Sequence, residues 1–298
     1  MKWQEYQKLQ KVSQIGDRFI SYVDQGDGIP LVFIHGIPTW GYLWNDLLKP
    51  LSKKFRVLIP DLMGFGFSDK SDCFDRSIAK QTEYLVQWLE KLGIKKAFIV
   101  GHDIGGGVAL RIATLYPELV KGLSVMNCVS YDSWPIEMMI QTGHPLVYKK
   151  ISSQALMTTM KFALKSGFAT RVSTDLVESL LAPYRTEVGK LSLIRNAAAL
   201  NTNLTTEITA KLSSITVPTL ILWGTDDKFQ DFKYAERLSR DIPNSHLIPI
   251  EKARHFVMLD QPEIVINELR RFFEPILSGL KIKTPIKQKR SPYENARV

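Results

Sequence analysis

The chain has 298 residues, of which 45% are hydrophobic and 23% are charged, and these proportions exclude a disordered protein or a minimal module without a sizeable core. Its two cysteines, Cys73 and Cys128, are too few for a disulfide framework and stand apart from any Cys/His cluster of the kind that binds zinc. The formal net charge of +9 does not indicate a nucleic-acid-binding protein, because residues 281–298 contribute +5 of it through six Lys or Arg and one Glu, and no nucleic-acid-binding motif is present.

Short apolar runs alternate along the chain with amphipathic segments. Residues 11–24 predict a β-hairpin that turns at Gly16 and Asp17. Six further runs lack the polar and apolar alternation of a half-exposed strand, which predicts strands buried on both faces, as in a parallel sheet. These runs are 30–35, 56–61, 97–102, 123–129, 219–224 and 246–250.

Helical patterns lie between these runs. Residues 76–92 place five apolar side chains on one face, and a second pattern follows the 97–102 strand as far as Pro117. Pro262 opens a third, because proline is tolerated in the first turn of a helix. Strands that alternate with helices predict an α/β protein with a mostly parallel, doubly wound sheet.

This alternation stops at residues 133–213, where helix-like spacing continues without a convincing strand. We therefore predict a core of residues 1–132 and 214–280, a helical insertion at 133–213, and a flexible basic tail at 281–298. The polar first residues do not resemble a signal peptide, and no apolar run is long enough to span a membrane. A cytoplasmic protein is expected, and the sequence leaves its oligomeric state undetermined.

The sequence Gly-His-Asp-Ile-Gly at 101–105 lies where a predicted strand ends and a helix begins. It matches the Gly-x-nucleophile-x-Gly pattern of a nucleophile elbow, with Asp103 in the place that serine more often occupies. The two glycines permit a tight turn and a close approach of helix to strand. Aspartate is also a favoured helix N-cap, so this pentapeptide alone leaves both interpretations open.

An upstream segment favours the interpretation of Asp103 as a nucleophile. His35, Gly36 and Ile37 follow an apolar strand, at the position that supplies one amide of an oxyanion hole in enzymes with such an elbow. The backbone amides of Ile37 and Ile104 are therefore the predicted oxyanion-hole donors. His35 is expected to shape the loop rather than to act as a base.

Two downstream residues complete a possible catalytic triad. His255 lies in a loop after the last predicted strand, which is the third place in the chain order nucleophile, acid, histidine. Asp226 and Asp227 both follow the strand at 219–224, and the step of four residues from Trp223 favours Asp227 as the acid.

Taken together, these motifs resemble those of α/β-hydrolases of the haloalkane dehalogenase and epoxide hydrolase branch. The similar segments are HGIPTWGYLW, DLMGFGFSDK, GHDIGG, ILWGTDD and ARHFVMLDQPE, within about residues 14–275. The resemblance implies the α/β-hydrolase fold, with residues 133–213 as a helical cap over the active site. It also implies a hydrolase that acts on a small apolar molecule. No ligand cluster indicates a metal or an organic cofactor.

A carboxylate nucleophile changes the expected reaction. Asp103 is ionised near neutral pH, so it does not need His255 to remove a proton. Attack on a carbonyl would give a reactive anhydride, whereas attack on an sp³ carbon gives an alkyl ester that water, activated by His255, can hydrolyse. The sequence therefore favours cleavage of a carbon–halogen or epoxide C–O bond over ester cleavage, and a hydrolase of an ester or a C–C bond is kept as an alternative.

The sequence does not determine the leaving group. Dehalogenases of this branch usually have tryptophan directly after the nucleophile, and often Asn or Glu after the His-Gly pair, where this chain has Ile104 and Ile37. Trp40 and Trp134 are therefore candidate substrate-binding residues that could replace the missing donors.

Epoxide opening would instead need cap tyrosines as acids. Tyr148 and Tyr184 are the candidates, although the usual tyrosine motif before the strand of the acid is missing. A non-catalytic binding protein with the same fold is the alternative from another class, because a fold does not fix a function.

Overall fold

The computed structural model describes residues 1–277, so the predicted basic tail at 281–298 lies outside the described residues. Its strands are β1 (Gln10–Ile15), β2 (Arg18–Gln25), β3 (Ile29–Ile34), β4 (Phe55–Pro60), β5 (Ala97–Asp103), β6 (Val120–Cys128), β7 (Thr219–Gly224) and β8 (Ser245–Ile250). These eight strands form one sheet in the order β1-β2-β4-β3-β5-β6-β7-β8.

The sheet is mostly parallel, as predicted. The hairpin of β1 and β2 is antiparallel, β2 also pairs antiparallel with β4, and every other pairing is parallel. All residues of β5 and β7 are buried. Because successive side chains of a strand point to opposite faces, both faces of the sheet are covered at these strands. This explains why their sequences are continuous apolar runs.

Helices occupy the predicted positions between the strands. Those within residues 1–277 are α1 (Trp3–Gln7), α2 (Asn45–Leu51), α3 (Ile78–Lys91), α4 (Ile104–Leu115), α5 (Glu137–Thr142), α6 (Pro145–Lys150), α7 (Ser153–Ser166), α8 (Thr174–Leu180), α9 (Glu187–Ala198), α10 (Asn203–Thr206), α11 (Phe232–Asp241), α12 (Val257–Asp260) and α13 (Pro262–Leu277). Helix α4 packs against β5 and β6, and α11 packs against β7 and β8. The predicted α/β architecture is confirmed.

The segment between β6 and β7 contains helices α5 to α10 and no strand. It is held to the rest of the chain by the buried guanidinium of Arg76, which donates hydrogen bonds to the Ser192 carbonyl (3.1 Å) and to Asn196 Oδ1 (2.8 Å) on α9. The division of the chain into a core and a cap at residues 133 and 213 stays a prediction.

No helix in the first 277 residues is both long and apolar enough to cross a membrane. The two cysteines are free, with Cys73 exposed and Cys128 buried. The expected cytoplasmic location and the expected lack of a nucleic-acid partner stay predictions.

Candidate active site

The end of β5 turns sharply into α4. Asp103, the last residue of β5, has a φ of 54°, which lies in the left-handed region that residues other than glycine rarely adopt. A Cβ atom on Gly101 would overlap with the carbonyl of Gly105, and one on Gly105 would overlap with the carbonyl of His35. Only glycine at both positions permits this approach of helix and strand, which is the geometry of a nucleophile elbow.

Asp103 occupies the N-cap position of α4, but its side chain makes no capping hydrogen bond to that helix. Its Oδ1 atom instead accepts a hydrogen bond of 2.8 Å from the amide of Ile37, and the side chain is 10% exposed. Burial raises the pKa of Asp103, while the imidazole of His255 and the amides of Ile104 and Ile37 oppose that increase. Of the two amides predicted as oxyanion-hole donors, that of Ile37 thus donates a hydrogen bond to this carboxylate, and that of Ile104 contributes to lowering its pKa.

His35 holds the loop that carries Ile37. Its ring is buried, Nδ1–H donates to the Gly36 carbonyl (3.0 Å), and Nε2 accepts from the Leu62 amide (3.0 Å). Burial lowers the pKa of His35 to about 4, so the ring is neutral near pH 7. These contacts agree with a role in shaping the loop.

His255 lies between two carboxylates. Its Nδ1 atom is 2.9 Å from Asp227 Oδ2, and its Nε2 atom is 3.7 Å from Asp103 Oδ2. The first distance is a hydrogen bond in which Nδ1–H donates, and the second is too long for one. The hydrogen-bond network thus assigns the tautomer in which an unprotonated Nε2 faces Asp103.

The two carboxylates also affect the charge of His255. Burial disfavours the protonated imidazole, but Asp227, which both attracts it and accepts its hydrogen bond, and Asp103 outweigh this effect and raise the pKa of His255. A protonated His255 is therefore better tolerated here than in an apolar pocket without acids.

Asp227, and not its neighbour Asp226, is the acid that contacts His255. Asp226 is exposed, whereas the side chain of Asp227 is fully buried. The second oxygen of Asp227, Oδ1, accepts a hydrogen bond of 2.7 Å from the amide of Phe229. Both carboxylate oxygens are thus occupied, which fixes the orientation of the acid.

Asn127, a further residue of this site, is absent from the sequence-based prediction. Its Nδ2 atom donates to Asp227 Oδ2 (2.7 Å), and its Oδ1 atom accepts from the amide of Gly224 (3.1 Å). Asn127 is buried at the end of β6 with a φ of 42°. The sequence did contain one signal for Asn127, a polar amide within the apolar run at 123–129, because a strand that only packs in the core does not need such a side chain.

His102 also has a positioning role that the sequence did not indicate. It is buried, and its Nε2–H donates to the backbone carbonyl of His255 (2.9 Å). Its ring centroid is 4.5 Å from that of His255. His102 therefore ties the loop of His255 to the end of β5.

These residues meet because parallel strands end at one edge of the sheet. Asp103 ends β5, Asn127 lies near the end of β6, Asp227 follows β7 and His255 follows β8. The four strands are successive neighbours in the sheet.

A cavity of about 520 Å³, including its opening, reaches Asp103 and His255. Its lining is mostly apolar and consists of Ile37, Pro38, Asp103, Ile104, Val129, Trp134, Pro135, Ile136, Met138, Met139, Ala163, Leu164, Leu200, Phe229, Gln230, His255 and Phe256. Such a lining suits a small or medium apolar molecule. Of the four predicted substrate-binding residues, only Trp134 belongs to it, and its indole N–H already donates to Thr205 Oγ1 (2.7 Å).

The other three predicted substrate-binding residues lie outside this cavity, which corrects the prediction. Trp40 is fully buried, and its indole donates to the Ser179 carbonyl (3.0 Å). Tyr184 is also fully buried, and its hydroxyl donates to the Thr39 carbonyl (3.0 Å). Tyr148 is 43% exposed and packs under the ammonium of Lys190. Packing between helices and loops, rather than ligand binding, accounts for the first two.

No group of three or more His, Cys, Asp or Glu side chains that could hold a metal ion is found in residues 1–277. The expectation that the protein needs no cofactor stays a prediction.

Comparison with known proteins agrees with this fold. Residues 29–262 match the family described as alpha/beta hydrolase fold. The chain is 27% identical to haloalkane dehalogenase 2 of Mycobacterium tuberculosis, over 82% of this chain and 87% of the relative. It is 30% identical to epoxide hydrolase 1 of Caenorhabditis elegans, over 90% of this chain and 69% of the relative. An alpha/beta hydrolase fold protein from Burkholderia ambifaria is similar in structure, with a TM-score of 0.83 at 25% identity, over 88% of this chain and 97% of the other.

Proposed function

Because the chain belongs to the α/β-hydrolase fold family and is a hydrolase related to haloalkane dehalogenases and epoxide hydrolases, we propose that it acts through a covalent alkyl ester on Asp103. The observation that carries this proposal is the placement of the Asp103 carboxylate. Its Oδ1 atom accepts the Ile37 amide at 2.8 Å, and its Oδ2 atom faces His255 Nε2 at 3.7 Å. One oxygen is thus held where an oxyanion would form, and the other is left to attack.

In the first step Oδ2 of Asp103 attacks an sp³ carbon of the substrate. A new C–O bond forms, and the bond to the leaving group breaks with its electron pair leaving on that group. The mostly apolar cavity that reaches Asp103 would hold the substrate carbon beside the carboxylate. Haloalkanes are the first substrates to test, and epoxides are the alternative.

In the second step His255 Nε2 takes a proton from water, and the hydroxide adds to the carboxyl carbon of the Asp103 ester. The negative charge then develops on Oδ1, where the amide of Ile37 already donates. Asp227 stabilises the imidazolium, and Asn127 holds Asp227 in place. Collapse of the intermediate releases the alcohol, which takes the proton from His255.

The source of the oxygen in the product tests this mechanism. With enzyme in excess over hexyl bromide, one turnover in water labelled with a heavy oxygen isotope should give unlabelled hexanol, because its oxygen comes from Asp103. The label should appear in the peptide that contains Asp103, measured by mass spectrometry. Labelled hexanol with an unlabelled peptide would instead show direct attack by water and would overturn the covalent ester.

The titration of His255 gives a second prediction. The neighbouring carboxylates raise its pKa, so NMR titration of the free enzyme should give a value above 6.5, the ordinary value for histidine. Protonation removes the base, so hydrolysis of the Asp103 ester should slow as the pH falls through the pKa of His255 in that intermediate. His246 is the internal control, because burial lowers its pKa. A His255 pKa at or below that of His246 would contradict the assigned environment.

A further inference from the structure

One polar side chain in the cavity has no role in the steps above. Gln230 is 2% exposed and lines the cavity three residues after Asp227. Its backbone is fixed, because its carbonyl accepts a hydrogen bond of 2.9 Å from the indole of Trp223. Its side-chain oxygen is buried without a hydrogen-bond partner among residues 1–277. A buried amide oxygen without a partner is costly, and the position of Gln230 in the cavity lining makes its amide available to a ligand.

The other polar side chains of the lining are already engaged. The indole N–H of Trp134 is bound to Thr205, and Nδ1 of His255 is bound to Asp227. Asp103 is the proposed nucleophile. Apart from Asp103 and His255, whose free atoms serve the two proposed steps, Gln230 is the polar side chain of this lining that retains hydrogen-bonding capacity for a substrate. Because the two ends of a primary amide exchange by a half-turn, the unpaired position can present an N–H donor.

The same lining lacks an acid for an alkoxide leaving group. No tyrosine belongs to it, since Tyr148 and Tyr184 both lie elsewhere. His255 must remain unprotonated at Nε2 to activate water in the second step. An alkoxide is a strong base that needs a proton as it leaves, whereas a halide needs only a hydrogen bond.

We propose that the side-chain amide of Gln230 donates a hydrogen bond to a departing halide, in the place of the tryptophan that is missing at Ile104. This inference rests on the proposed role of Asp103. As the C–halogen bond breaks, the halogen leaves with the bonding electrons and Asp103 Oδ2 forms the new bond to carbon. Over the full cycle an alkyl halide and water give an alcohol, a halide ion and a proton.

Two substitutions of Gln230 separate the effect of its hydrogen-bond donor from the effect of its side-chain shape. Gln230→Met keeps a side chain of similar length without the amide, and Gln230→Glu keeps an oxygen acceptor but removes the NH₂ group. Both should slow alkylation of Asp103 by hexyl bromide by about 10²-fold, the usual effect of losing one such donor. The loss should be larger for hexyl chloride than for hexyl iodide, because chloride accepts the stronger hydrogen bond. The exposed Gln141→Met serves as the matched control.

A binding measurement gives a readout that does not depend on turnover. Free bromide should inhibit the wild-type enzyme competitively, and its inhibition constant should rise about tenfold or more in both Gln230 variants, as expected for loss of one hydrogen bond to a charged group. In the His255→Phe background, hexyl bromide should label Asp103 and hexene oxide should not.

The outcomes separate this inference from the proposed function. Labelling of Asp103 at the wild-type rate in either Gln230 variant would overturn the role of Gln230 while the covalent ester stands. Labelling by hexene oxide as fast as by hexyl bromide would overturn the choice of leaving group. Absence of an adduct on Asp103 with every probe would overturn the proposed function itself.

Discussion

The variant His255→Phe is expected to lose turnover almost completely while Asp103 is still alkylated. Phenylalanine cannot take a proton from water, so the ester formed in the first step would persist. Loss of a triad histidine lowers kcat by about 10⁴–10⁶-fold in serine hydrolases. Of the haloalkanes, epoxides and activated esters tested separately, the haloalkanes should increase the intact mass by the alkyl group less one hydrogen. Peptide mapping should place that group on Asp103.

We expect the His255→Phe variant to fold, because position 255 is surrounded by aromatic rings. Its ring packs among the rings of His102, Phe229 and Phe256, with centroid distances of 4.5, 5.1 and 5.1 Å. A phenyl ring fits this aromatic site, and Asp227 keeps the hydrogen bonds from Asn127 and Phe229. His246→Phe is the matched control, since His246 packs against Phe272 and outside the cavity. Steady turnover by His255→Phe would contradict the proposed base.

Asp103→Ala should abolish both turnover and labelling. Without a carboxylate, no ester can form, and a loss of about 10⁵–10⁶-fold in kcat is expected by analogy with removal of a serine nucleophile. Combined with His255→Phe, it should also remove the mass adduct. Halide release by wild type and variant, measured under the same conditions, gives the ratio directly.

The aspartate adjacent to the catalytic acid supplies the control for this experiment. Asp226→Ala removes an exposed carboxylate adjacent to the acid and should retain wild-type turnover. Circular dichroism checks that Asp103→Ala keeps its helices, since the side chain of Asp103 does not cap α4. If Asp103→Ala retained more than a small fraction of wild-type halide release, another group would have to be the nucleophile.

Much of the fold could be predicted because it depends on local composition. Strands buried on both faces need continuous apolar runs, and β5 and β7 are read directly from such runs. Strand ends are less certain, since β6 begins at Val120 and not at residue 123. The first residues of β6 pair with β5, and this long-range pairing cannot be recognised in the local sequence.

Some residues of the candidate site could likewise be predicted from the sequence, and others could not. Asp103 and Asp227 could be singled out because each follows a buried strand, and His255 because it follows the last strand in a recognisable order. Parallel strands bring such positions to one edge. The run at 246–250 departs from the predicted burial on both faces, because β8 is an edge strand whose residues are mostly half-buried. Asn127 could not, because its role depends on the neighbouring β7, where Asp227 and Gly224 meet its amide. Its contacts are between strands that are about a hundred residues apart in the chain.

The residues that line the cavity were the hardest part of the site to predict from the sequence. Trp40, Tyr148 and Tyr184 have side chains suited to binding a substrate, but helix packing places them outside the cavity. The sequence by itself determined the α/β fold and the residues at the ends of its strands, because both follow from hydrophobic runs and chain order. Only the tertiary structure decided which side chains line the cavity, and that the side-chain oxygen of Gln230 has no partner within residues 1–277, because long-range packing of helices and loops sets those contacts.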